Sequence, residues 1–362
     1  MSGQLRRRSL SSWLWSRDAS AQVHHGDALA VPSGLRPGSS AANEPAVDPE
    51  TSRPFSSRNL VACLREGARR FGWQPRDPTP RVRCDGRWLI GTGVAASTYP
   101  AVQLPATARV GVDRAGRYRV GIAASDIGTG AWTALTQIAA DVLEAPPERV
   151  QLEIGESALP QALSATGSTG TASWGWAIYN AASALRRRLH EEFGGMIPAG
   201  GLSASGTFET NPEAQQHSMH AFGARFAEVR VHVDTGEVRV PRLLEVFAAG
   251  RIVNPQMARS QFLGGMTMCL SMALHEASVL DPRFGDYVNH DFAEYHIATN
   301  ADAGTIDVTW IDEDDPHVNP MGAKGIGEIG IIGTAAAIAN AVYHATGIRI
   351  RDLPITLDKL LP

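Results

Sequence analysis

Cysteine is scarce in this chain: three in 362 residues, at Cys63, Cys84 and Cys269, far apart and never as C-x-x-C. That spacing excludes a disulfide framework as the stabilising device, and any four-cysteine iron–sulfur cluster within this chain alone. Redox chemistry built on it must pass electrons to another subunit. No apolar run reaches the length of a membrane span. Charge of one sign is also lacking: 33 Lys+Arg stand against 37 Asp+Glu, a net of −4. With no basic stripe and no interleaved aromatics, nucleic acid is not an expected partner. Neither a Gly-x-Ser-x-Gly elbow nor an HExxH is present, so a simple hydrolytic centre finds no support. The eleven histidines scatter. His290, Asp291 and His296 lack ligand spacing on one helical face, and every histidine reads as structural or surface.

What is present concentrates near the C-terminus. Lys324, Gly325, Gly327, Glu328, Gly330 and Gly333 form a Lys–Gly loop holding one acid. Behind it runs a helix-periodic stretch, with Ala337, Ala341 and Ala345 four apart and Gly347 as its stop. This order places Glu328 at or just before a helix N-terminus, where amides and dipole favour the carboxylate. An acid so held stays ionised and can accept a proton from something bound in front of it. The plainer alternative is that Glu328 merely caps amides. Gly325, Gly327 and Gly330 also spell a dinucleotide fingerprint, but a turn at His317, Asn319 and Pro320 replaces the strand that it requires.

Length allows one large domain or two ordinary ones. Residues 1–45 read as a disordered tail; a faint twin-arginine pattern at Arg7 and Arg8 is broken by Ser11, Ser12, Ser16, Arg17 and Asp18. Residues 54–73 predict an amphipathic helix capped by Ser56 or Ser57 and ended by Gly72. Gly91-Thr-Gly93 with Asp113 about twenty residues on is the strongest dinucleotide signal. It fails because Tyr99, Pro100 and Pro105 leave no room for the phosphate-binding helix, and Asp113 opens a hairpin turn instead. The turn containing Gly128, Thr129 and Gly130 precedes a helix at 131–144 and is a potential anion site. Hydroxyls and glycines from Ser164 to Thr171 precede a second helix, 172–193. Further on, 221–249 predicts a hairpin, 257–275 a helix and 305–311 a strand, followed by a solvated acidic turn at 312–315.

Lys324-Gly-Ile-Gly-Glu328, the helix after it and Arg349-x-Arg-Asp-Leu-Pro-Ile-Thr resemble the C-terminus of the large, molybdenum-binding subunit of the aldehyde oxidase/xanthine dehydrogenase family. The nearest likeness is to the bacterial three-subunit aldehyde oxidoreductases, and it covers the chain from Asn43 onward. The resemblance implies an α+β fold of the xanthine oxidase molybdopterin-binding type, with mixed and antiparallel sheets and packed helices. Residues 46–362 would be the C-terminal half of the molybdopterin-binding region, in subdomains of about 84–205 and 206–362. It implies Glu328 as the base, with Lys324 and Gly327 as contacts to a molybdenum–molybdopterin cofactor, the cytosine dinucleotide form included. Gly128, Thr129, Gly130, Ser168, Thr169, Gly170 and Thr171 are carried over as further contacts, the metal being held through the pterin and by no side chain.

By the same resemblance, Glu328 deprotonates a hydroxide on molybdenum that attacks an aldehyde or N-heteroaromatic carbon, and hydride passes to a sulfido ligand. Electrons then leave through [2Fe–2S] clusters and FAD on partner subunits. Cytoplasmic placement is the expectation, export with a signal-bearing partner the other option. Family large subunits are about twice this length, and their Gly-Gly-x-Phe-Gly loop and metal-side arginine find no match here. The expectation is therefore a truncated or split subunit, with a separate N-terminal half as a partner. A non-catalytic remnant or assembly partner is the alternative.

Overall fold

Alternating apolar positions build two sheets, and helical stripes cover them. The computed structural model describes residues 46–74 and 76–361, so the expected tail over 1–45 lies outside the described residues. In chain order the elements are α1 (Leu60–Phe71), β1 (Cys84–Asp85), β2 (Trp88–Pro100), β3 (Ala106–Val112), β4 (Tyr118–Gly121), α2 (Ala131–Leu143) and β5 (Val150–Glu153). There follow α3 (Gly170–Phe193), β6 (Leu202–Phe208), β7 (His220–His232), β8 (Val238–Ala248) and α4 (Pro255–Leu274). Last come β9 (Leu280–Asp281), β10 (Asp286–Tyr287), β11 (Ala303–Trp310) and α5 (Thr334–Thr346). Among the described residues no helix is long and apolar enough to cross a membrane.

The first sheet has the order β5-β4-β3-β6, antiparallel except for β4 with β5. One face is buried by α2 and α3, through Leu135, Ile138, Trp174, Ile178 and Leu185 against Ala108, Val110 and Val120. The second has the order β1-β2-β7-β8-β11, antiparallel except for β8 with β11. Both its faces are covered. α1 packs on one with Leu60, Leu64 and Phe71 against Phe226, Leu244 and Val246. On the other, α4 and α5 set Phe262, Met266, Ala337 and Ala341 against Ala227, Leu243 and Phe247. The period-two pattern of β7 and β8 is therefore not an inside–outside pattern, because both sets of side chains are buried, Arg225 and Glu245 among them. Segment 84–100, expected with the first subdomain, pairs instead with β7 in the second sheet, so the two layers part near residues 106 and 208.

Gly91 and Gly93 lie mid-strand in β2 and have a packing purpose. A Cβ on Gly91 would stand 2.0 Å from the Ala341 carbonyl oxygen, and one on Gly93 2.2 Å from that of Ala337. Helix α5 thus rests directly on strand backbone, and the Gly-x-Gly signal is a helix-docking groove. Gly93→Ala is expected to lower stability by about 1–3 kcal/mol, as overpacking of a filled core does, read as a fall in Tm. A variant melting with the parent would mean that α5 sits further off the sheet. The predicted hairpin at Asp113 is present: the Gly116 amide donates to the Asp113 carbonyl, 2.9 Å.

The cap of α1 differs from expectation. The helix starts at Leu60 with Asn59 before it, and neither Ser56 nor Ser57 caps it. Their hydroxyls donate to carboxylates instead, Ser56 to Asp315 at 2.7 Å and Ser57 to Glu313 at 2.9 Å. The acidic turn is accordingly solvated only in part: Asp312 and Asp314 are exposed, while Asp315 is fully buried and Glu313 nearly so. Both flank the Lys324 ammonium, at 3.2 and 3.0 Å. A positive partner inside the core explains why these acids point inward.

Candidate active site

Glu328 stands in a succession of turns, not at a helix N-terminus. Helix α5 begins at Thr334 behind Gly333, and the intervening amides close turns: Ile331 N–H donates to the Glu328 carbonyl and Ile332 N–H to that of Ile329. Those turns are fastened from beneath by a buried cross-strand pair. Arg225 on β7 faces Glu245 on β8 in register, 3.0 Å apart, and stacks over Phe247. Its guanidinium donates to the carbonyls of Ile332 at 3.0 Å and Ile329 at 2.5 Å. Thr334 Oγ1 donates to Glu245 at 2.5 Å, tying down the first residue of α5. Upstream, Gly250 and Gly322 both adopt positive φ, and Ala323 bridges Gly250 where any Cβ on Gly250 would strike the Gly322 carbonyl.

A second loop meets the first. Ser168 has φ +57, and its hydroxyl accepts the Glu328 amide at 3.0 Å. Gly325 lies so close to the Ser168 carbonyl that a Cβ there would stand 1.9 Å from the oxygen. Two stretches read separately as cofactor loops therefore interlock. Together with the turn before α2 and the start of α4 they enclose a hollow of about 280 Å³. Thr129, Ser168, Gly170, Thr171, Lys324, Gly327 and Glu328 all line it.

The remaining predicted residues do other work. Gly128 and Gly130 shape their turn through positive φ, and Gly130 packs against Met257. Their turn offers less to an anion than expected, because the Asp126 carboxylate already accepts the amides of Gly128 at 2.8 Å and Trp132 at 3.3 Å. Thr169 is buried, and its hydroxyl is spent on the Thr166 carbonyl at 2.8 Å. Lys324 lines the hollow, but its ammonium is engaged elsewhere. Its ammonium donates to Ser57 at 2.5 Å and Glu313 at 3.0 Å, and carries no free charge to a ligand.

Glu328 remains as the one acid facing the hollow. Its Oε2 is buried and makes no hydrogen bond. Burial pushes the carboxyl above its ordinary value, against the downward pull of the Ser168 and Gly167 amides and the Tyr99 phenol. Desolvation outweighs the amides once no helix terminus is at hand, so the group holds its proton more tightly than the expected helix-terminus setting would have it. Tyr99, at the end of β2, was not singled out in the sequence. Burial and the Glu328 charge push its phenol up to about 12, so it stays a proton donor. No local pattern could have paired the two, since only the docking of α5 on β2 brings them together. Gln261, Asn254 and Met257 of the α4 start also line the hollow. Only the cap is written in the sequence: Asn254 Oδ1 accepts the Met257 amide, 2.9 Å.

A hollow between two glycine-rich loops, floored by one desolvated acid, defines a cofactor-binding enzyme domain. The molybdopterin cofactor-binding domain family matches residues 66–199 and 191–304, and the chain belongs to it. It is 42% identical over 360 residues to the aldehyde oxidoreductase molybdenum-binding subunit PaoC of Escherichia coli K12, over 92% of this chain and 49% of that protein. It is 28% identical to the 6-hydroxypseudooxynicotine dehydrogenase complex subunit gamma of Paenarthrobacter nicotinovorans, over 78% of this chain and 41% of that one. The fold matches the crystal structure of the aldehyde oxidoreductase from Desulfovibrio desulfuricans with a TM-score of 0.76 at 23% identity, over 86% of this chain and 36% of that chain. The chain thus spans about half the length of the curated relative PaoC. The expected α+β fold and family are both met.

Proposed function

We propose that the hollow is one wall of a molybdenum-cofactor site, and that Glu328 is the general base in oxidising an aldehyde or N-heteroaromatic carbon with water as oxygen source. The observation that carries this is Glu328 Oε2, buried at the hollow's edge without a partner. Such an atom in a native fold calls for something that the fold is built to receive. The residues present fit a large polar ring system: Thr129, Gly170, Thr171 and Gly327 border the hollow with short hydroxyls and side-chain-free backbone. These would hold the pterin, in its dinucleotide form or without it. When bound, the molybdenum cofactor supplies the two-electron oxidation.

The chain's own part is proton handling. Glu328 Oε2 takes the proton given up as the oxygen nucleophile attacks the substrate carbon, and its raised pKa makes it a stronger base than an exposed glutamate. The Ser168 hydroxyl holds the Glu328 backbone, fixing where the carboxylate can reach. Electrons pass to iron–sulfur and FAD subunits, because three dispersed cysteines cannot hold a cluster here. The opposite wall is assigned to the half of the relatives that this match does not span.

Metal analysis tests the reading. The chain, purified with whatever proteins it co-purifies from a host making molybdenum cofactor, is expected to carry close to stoichiometric molybdenum. Preparations without molybdenum, alone and in every complex recovered, would leave an assembly role as the surviving account.

A further inference from the structure

The connection between β6 and β7 contains one short 3-10 turn, Pro212–Gln215, opened by Asn211. Asn211 Oδ1 accepts the Glu213 amide, while its Nδ2 donates to the carbonyls of His317 and Val318 at 3.0 Å each. This residue therefore pins the turn to the loop that runs on toward Lys324 and Glu328. The His217 amide donates to the Glu213 carbonyl at 2.9 Å, so the two side chains rise one helical turn apart on the same side.

Three ligand atoms converge where the turn and loop meet. Glu213 Oε2 lies 3.2 Å from His217 Nδ1 and 3.2 Å from His317 Nδ1. All three atoms fall within 4.8 Å of one another. The imidazoles stack, with centroids 4.1 Å apart and planes 25° from parallel, so the two Nδ1 atoms lie on neighbouring rings and closing both on one ion takes a swing of one ring about its side-chain torsions. The His317 nitrogen is within hydrogen-bonding range of the carboxylate, 3.2 Å. His217 Nδ1 is buried and makes no hydrogen bond at that same distance. A ring nitrogen shut away from water with no hydrogen-bond partner is a buried polar atom left unsatisfied, and a bound ion would satisfy it.

We propose that Glu213, His217 and His317 bind a divalent transition ion of the zinc class through one carboxylate oxygen and two Nδ1 atoms, with solvent as fourth ligand. Bonds of about 2.0–2.1 Å in a tetrahedron set ligand atoms about 3.3 Å apart, and the two carboxylate–imidazole contacts of 3.2 Å match that edge, while the two nitrogens lie within 4.8 Å of each other. Two imidazoles and one carboxylate are a donor set that zinc takes readily. The side chains are 35%, 19% and 39% exposed for Glu213, His217 and His317, so an ion reaches the cluster from the Glu213 and His317 side, with the buried His217 nitrogen behind them. The ion clips the β6–β7 connection to the 317–328 segment and braces the loop bearing Glu328 from outside the hollow. Spacing alone hides the site, because Glu213 and His217 stand at i and i+4 while His317 comes from the far side of the chain.

The test is zinc titration of the full chain after chelator stripping, followed by calorimetry and metal analysis. His24 and His25 adjoin in sequence, so both are first replaced by alanine to remove a competing pair. One saturable equivalent of zinc is expected. His217→Ala and His317→Ala are each expected to weaken it at least about a hundredfold, the upper end of what loss of an outer-shell partner costs. Cobalt(II) is expected to give the intense visible bands of a four-coordinate ion with the parent and not with the variants. Metal-free melting curves of the variants establish that they fold; should they not fold, the cobalt spectrum of the parent alone decides. Equal zinc uptake by parent and folded variants, or a parent without four-coordinate cobalt bands, would overturn the assignment and leave a His–carboxylate hydrogen bond.

Discussion

Glu328→Gln leaves molybdenum content unchanged and lowers kcat by about a hundredfold to ten-thousandfold, the range that a positioned general base supplies. The substitution keeps size and shape, and the Glu328 backbone amide still donates to Ser168, so the interlocked loops persist. What disappears is a carboxylate whose Oε2 has no other partner. Burial raises its pKa above the ordinary 4.5, and only the deprotonated form can accept a proton. The parent's kcat/KM should therefore fall on the acid side through a midpoint above that value, and the variant should lose this limb. Stability moves the other way. A carboxyl whose folded pKa is raised favours the native state fully below its unfolded pKa, and that contribution is lost as pH rises through the folded pKa. At neutral pH the uncharged amide avoids the loss, so Glu328→Gln is expected to melt no lower than the parent. Turnover near the parental level, with molybdenum present, would remove Glu328 from the chemistry. A lowered Tm would mean that the loss of rate reports damage to the loops.

The element pattern was legible because periodicity and punctuation agree: Gly72, Gly347, Asn254-Pro255 and the Asp113 turn all end or open elements as their chemistry requires. The acid itself was legible as a glutamate isolated among glycines. Its environment was not. A helix terminus was inferred from the alanine run, but two hydrogen-bonded turns separate Glu328 from α5, and burial raises its proton affinity. Lys324 shows the same gap. A lysine among glycines resembles a ligand contact, while the acids that claim its ammonium, Glu313 and Asp315, read as a solvated turn. Charges buried against one another across long sequence separations leave no local trace, and neither does Tyr99 behind Glu328. The glycines at 91 and 93 mislead for a related reason: close approach of a helix and of a phosphate both demand a missing Cβ.

Arg225→Met should cost about 3–5 kcal/mol of stability, the range for breaking a buried ion pair by removing one partner. Arg225 and Glu245 are 1% and 0% exposed, so no water replaces the lost charge. Burial already pushes the Glu245 carboxyl up to about 7 even with the guanidinium beside it. Without Arg225 it goes higher still. Because a raised carboxyl pKa favours the fold at low pH and ceases to as pH rises, the deficit of Arg225→Met should be smaller near pH 5 than near pH 8. Replacing both charges, as Arg225→Met/Glu245→Leu, should recover most of the stability, since an apolar pair of similar bulk removes the uncompensated charge. Activity should not return with it. The carbonyls of Ile329 and Ile332 still lack the donor that holds the turns after Glu328, and Thr334 loses its acceptor. A double variant that regains Tm but not kcat separates the two duties of Arg225, neutralising Glu245 and holding the turns after Glu328. Recovery of both would show that the turns hold their shape without it, and a single variant melting with the parent would remove the pair from the stability of the fold.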